Sequence, residues 1–165
     1  MKKIVLLLAL AIFGAALQSQ AQKILMKITN VTDAKGEEVR ALELQMNRAA
    51  GTSTGGGGTS VGKTDPGYLI IKKTHDKSTN ELFKKMAQGT FMPEAIFEYY
   101  DASNTLYYKI TLTNVLLMQF YYLSPECPGC LKLEHQVAFS YDKIKVEDLA
   151  NGGNNNWDIK LNIAQ

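Results

Sequence analysis

The chain has 165 residues, 45% of them apolar, and a formal net charge of +2. That is room for one domain with a real core and short for two. Its charges are interspersed along the sequence, which excludes the basic stripe of a nucleic-acid binder or an anionic-membrane binder.

The first segment, MKKIVLLLALAIFGAALQSQAQ, joins Lys2 and Lys3 to an apolar run from Ile4 to Leu17 and a small-residue site at Ser19-Gln20-Ala21. This is the layout of a secretory signal peptide, and the run is short for a membrane span. The expected organisation is a leader at 1–21 and a single domain at 22–165, exported to a periplasmic or external space. Without Lys2 and Lys3, sixteen basic side chains face sixteen acidic ones.

Ile24 to Val31 reads as a first strand. Glu38 to Asn47 alternates, with Val39, Ala41 and Glu43 on one side and Leu42, Leu44 and Met46 on the other, the pattern of a half-buried strand. Gly57, Gly62, Lys63 and Thr64 then complete the phosphate-binding pattern G-x-x-x-x-G-K-[ST]. That pattern works only where a buried strand runs directly into a helix whose N–H groups hold the phosphates. Here Pro66 disfavours helix at Asp65, and YLIIKKTH beyond it is strand-like. The stretch reads as a small-residue loop between strands, so no nucleotide is expected. Ser78 to Gln88 is the one convincing helix, with Ser78 and Glu81 as a capping box, Leu82, Phe83 and Met86 as an apolar stripe and Gly89 as the stop.

Further strands are expected at Ala95–Tyr99, Leu106–Leu112, Val115–Tyr122 and Leu133–Tyr141. In the third, VLLMQFYY is apolar enough to be covered on both faces. In the last, Leu133, His135, Val137, Phe139 and Tyr141 share one face, where His135 reads as a packed or interfacial residue. His75-Asp76 is adjacent in sequence and sits at a strand-to-helix turn, so its side chains need not converge. Glu37, Glu38, Glu94 and Glu98 read as solvent-facing carboxylates. The sum is a mainly β chain: a barrel or sandwich of about eight short strands with one helix.

The ordered succession of GGGGTSVGKT, a strand ending in KKTHDKST, a short helix, FMPEA, paired strands and NNNWDIKLNIAQ resembles the Hcp family, the tube protein of type VI secretion. The resemblance implies a small Hcp-like β-barrel with one flanking helix and no catalysed reaction. It implies hexameric rings that stack into a tube within a sheath, receive a spike and carry effectors in the lumen. It also makes Gly55, Gly56, Gly57, Gly58, Gly62 and Lys63 an assembly loop. No cofactor, metal or nucleic acid follows from it. The alternative is an exported monomeric β-barrel binding module without a tube role. The leader departs from the family's usual cytoplasmic assembly followed by secretion.

A second departure is SPECPGCLKLEH. Cys127 and Cys130 form a C-x-x-C, whose spacing supports a tight disulfide, a redox couple or half a metal site. A disulfide is the leading reading for an exported chain with two cysteines. Redox catalysis wants the pair at a helix start, which is absent here. The resemblance places Ser124, Pro125, Glu126, Pro128 and Gly129 on a loop near the lumen.

Overall fold

The computed structural model describes residues 22–51, 60–65, 67–123, 133–159 and 163–164. Strand β1, Lys23–Ile28, pairs antiparallel with β2, Glu37–Val39, and with β7, Met92–Tyr100. After β2 the chain steps through Arg40, whose N–H donates to Lys72 O at 2.8 Å, into β3, Ala41–Leu44. β3 pairs with β6, Leu69–Thr74, which pairs with β9, Glu134–Ser140. β9 lies against the second half of β8, Leu106–Leu123, and the first half of β8 returns to β7. The circuit β1, β2/β3, β6, β9, β8, β7 closes on itself as a barrel, which removes the open edges a flat sheet would expose.

The step at Arg40 changes the side-chain alternation. Val39 is buried in the core, and Leu42 and Leu44 also pack against it, although strict alternation would put them on opposite faces. A break between β2 and β3 lets both strands turn their apolar residues inward.

β8 corrects the expectation of two strands. It is one strand of 18 residues, bent where Asn114 takes φ 55° and again by a register shift between Leu117 and Gln119. The Asn114 side-chain amide donates to Asp142, and Asp142 N–H donates to Thr113 O at 3.0 Å, so the bend is held by the turn that follows β9. Coverage on both faces is also corrected: Val115 and Leu117 are buried, but Met118, Tyr121 and Tyr122 are exposed. Only the inward row of this half meets the core.

β10, Lys143–Asp148, β11, Gly153–Asp158, and β12, Ile163–Ala164, extend the sheet beyond β8. The described sheet thus has ten strands where about eight were expected. Among the described residues β4, Asn47–Gly51, and β5, Ser60–Asp65, pair only with each other.

Helix α1, Lys77–Gln88, lies against β8. Leu82 is fully buried, Met86 packs on the core, and Phe83 stands edge-on to Phe120 with ring centroids 5.8 Å apart. Its cap is Asp76, not Ser78. Asp76 Oδ1 accepts from Ser78 N–H at 2.9 Å, and Thr79 Oγ1 accepts from Asp76 N–H at 3.1 Å. The reciprocal logic of a capping box holds, two residues earlier than the Ser78–Glu81 pattern suggested. At the other end Gly89, φ 59°, donates to the carbonyls of Lys85 and Met86. Inside the barrel, Phe97 from β7 and Phe139 from β9 meet edge to face at 5.8 Å, joining the two strands that flank β8.

Candidate functional site

At the end of β6 the chain places three polar residues where they meet. Lys73 is 1% exposed, and its ammonium donates to Asp76 Oδ1 at 2.5 Å, Thr74 O at 3.2 Å and Thr79 Oγ1 at 3.3 Å. Three partners satisfy its three donors, which is the condition under which a charge is tolerated in a core. Burial opposes ionisation of Asp76, but Lys73 and Ser78 outweigh it and hold its carboxyl below the usual range.

Between Lys73 and Asp76, His75 turns its ring toward β9. Its Nδ1 lies 3.2 Å from Nε2 of His135, and the backbone N–H of His75 donates to Leu133 O at 2.8 Å. His135 is fully buried under Tyr122 and Phe120, with ring centroids at 4.9 and 5.4 Å. Burial, then His75 and Lys73, push its imidazole below the ordinary value, against a smaller pull from Asp76. The expectation that His135 is a packed strand residue agrees with its place. Barrel closure brings β6 beside β9, which sets His75 against His135.

His75 and Asp76 also line a recess of about 340 Å³ with Glu37, Glu38, Arg40 and Thr74. Burial, then Asp76 and Asp33, raise the Glu37 carboxyl above its ordinary value. Among the described residues no group of three or more histidines, cysteines or carboxylates is placed to hold a metal ion.

The reading of Glu98 as solvent-facing is corrected too. It accepts from Lys27 Nζ at 2.7 Å and from Tyr100 Oη at 2.7 Å. The partner of Lys27 is set by strand register across β1 and β7, which the sequence of either strand does not carry. Glu94 is exposed, in keeping with its reading.

Gly62 and Lys63 lie in β5, and Thr64 of the phosphate-type pattern follows them in the same strand, where a phosphate site needs a helix start. Gly55, Gly56, Gly57 and Gly58 lie outside the described residues. So do Ser124, Pro125, Glu126, Cys127, Pro128, Gly129 and Cys130.

A closed, mainly β barrel with one flanking helix and, among the described residues, a two-stranded arm paired only with itself defines the class of fold. The chain belongs to the Hcp family of type VI secretion: the family model described as "Type VI secretion system effector, Hcp" matches residues 27–147. The fold is similar to that of Hcp1 from Salmonella typhimurium, at TM-score 0.73 and 23% identity over 88% of this chain and 99% of that one. It is similar as well to a structure described as a type six secretion system protein, at TM-score 0.74 and 18% identity over 88% and 100%. A double mutant of Hcp1 from E. coli EAEC 042 gives TM-score 0.67 and 17% identity over 84% and 98%. Among curated proteins no match was found.

Proposed function

We propose that this Hcp-family protein works as a tube subunit: six copies close into a ring, rings stack, and the lumen carries effectors, with sheath and spike proteins as partners. The observation that carries the reading is the β4–β5 arm. Among the described residues these two strands bond only to each other and have no role in closing the barrel, and a ring of copies gives them a surface to lie on. The Gly55–Gly58 and Gly62-Lys63 segment belongs to this arm or its connection, which fits an assembly loop. The Cys127 loop joins β8 to β9 and is proposed to border the lumen, closed by a Cys127–Cys130 disulfide. Residues 1–21 are proposed to act as a leader for a single domain over 22–165.

Light scattering on purified protein tests the ring. A mass about six times that of one chain at micromolar concentration and near-physiological salt is expected. A monomer there would overturn the tube reading in favour of an exported β-barrel binding module.

A further inference from the structure

We propose that the His75–His135 pair is an acid-released latch: one shared proton joins the strand-to-helix turn to β9, and a second proton separates the two rings and turns His75 out to solvent. The contact is a single hydrogen bond, Nδ1 of His75 to Nε2 of His135 at 3.2 Å. A single bond of this kind needs one proton between the nitrogens, and the surroundings decide which ring supplies it. Nδ1 of His135 is buried and, among the described residues, has no hydrogen-bond partner. A proton placed there would be a buried N–H without an acceptor, which costs more than a bare ring nitrogen. His135 therefore carries its proton on Nε2 and donates it to His75, and the exposed His75 carries its own on Nε2.

A second proton has no acceptable place in this arrangement. On His75 Nδ1 it sets N–H against N–H, unless His135 moves its proton to the unpartnered Nδ1. On His135 it makes a buried cation. The groups facing His135 do not rescue that cation. From β6 comes the Lys73 ammonium, from the turn come His75 and Asp76, and from β8 come Tyr122 and the uncharged Phe120. Asp76 is already committed to Lys73 and to the α1 cap. Within β9 itself, Glu134 pairs with Arg40.

The folded state keeps His135 neutral while the unfolded chain protonates it, so stability is full above the ordinary imidazole value of about 6.5 and falls as pH drops below it. For one histidine kept neutral, the folding equilibrium constant falls about tenfold between pH 7.5 and 5.5.

The test is ¹⁵N NMR of the imidazoles in the full chain, with denaturant unfolding of the same protein and two variants. At pH 7.5 His135 is expected as the Nε2–H tautomer, and on acidification its ring signals change in step with loss of exchange protection at the His75 amide. His135→Phe, which fills the site without a proton, and the exposed His75→Ala should both lessen the tenfold fall. A proton on His135 Nδ1 at pH 7.5, or a change at His135 that leaves the His75 amide protected, overturns the proposal, and both are read on the unsubstituted protein. So does an undiminished fall in His75→Ala.

Discussion

The buried ammonium of Lys73 is neutralised at 2.5 Å by Asp76, the same carboxylate that caps α1 three residues further on. One side chain thus satisfies a charge in the core and fixes where the helix starts. Asp76→Ala removes both and leaves the ammonium buried, so a loss of about 3–5 kcal/mol is expected. Lys73→Met keeps the cap and takes the charge out of the core, and its cost should be near 1 kcal/mol. Urea midpoints at unchanged slope check this, and equal losses in the two variants would show that the stranded ammonium does not dominate the cost of Asp76→Ala.

Glu98 governs a second polar contact with a signed pH dependence. Burial opposes its ionisation, but hydrogen bonds from Lys27 and Tyr100 outweigh that and hold the carboxyl below its ordinary 4.5. Its contribution is present above about 4.5 and fades as pH falls through the lowered value. The Tyr100 phenol is pushed up to about 12, first by its bond to Glu98. In Glu98→Gln, absorbance titration should bring one late-ionising tyrosine back toward 10. Tyr99 stays at about 12, since burial is its main cause. Stability at pH 7 should drop by about 1–2 kcal/mol, with a smaller difference at pH 3.

Gly67 and Gly89 separate backbone strain from collision. Both take φ near 60°, but a methyl on Gly67 would sit 2.7 Å from Gln45 O, whereas one on Gly89 meets nothing within 4 Å. Gly89→Ala should cost about 1 kcal/mol from the left-handed backbone alone. Gly67→Ala should cost about 2–3 kcal/mol, because a carbonyl cannot swing aside like a side chain. Thermal unfolding of the two variants side by side measures the difference, and equal shifts would remove the collision argument.

Lys63 lies in a strand, so Lys63→Ala should leave the fold unchanged and neither ATP nor GTP should bind. Saturable micromolar binding lost in that variant, seen by calorimetry, would restore the phosphate-site reading.

For Cys127 and Cys130 the expected product in an oxidising compartment is a disulfide closing a very short loop. Intact mass before and after reduction should differ by two hydrogens, with little change in stability because the closed loop is small. Two free thiols in protein from its native compartment would point to cytoplasmic assembly instead.

The sequence by itself determined what depends on near neighbours. Period-two alternation located β3 and β9, the strand-like run YLIIKKTH located β6, the buried row of His135, Val137, Phe139 and Tyr141 was legible before any pairing, and Pro66 ruled out the phosphate helix from one position. The Hcp resemblance came the same way, from motifs in fixed order. Of the terminal strands, β11 carries the polar run Asn154 to Asn156 and β12 is only two residues long, so neither shows a period, whereas β10 does alternate, with Ile144 and Val146 turned to the core, and was legible but not read. Their extended form comes from pairing with β8 and with one another.

Only the tertiary structure decided which polar groups meet. Lys73, His75 and Asp76 span four positions with no periodic signal, and His135 lies 60 residues beyond His75. Barrel closure sets β6 beside β9, and register then fixes Lys73 opposite His135 and Lys27 within reach of Glu98. The helix cap shifted for the same reason: Ser78 and Glu81 satisfy a local rule, but the buried ammonium of Lys73 needs a carboxylate, and Asp76 supplies it while capping the helix. Local rules name the elements, whereas burial of charge selects among the pairings those elements permit.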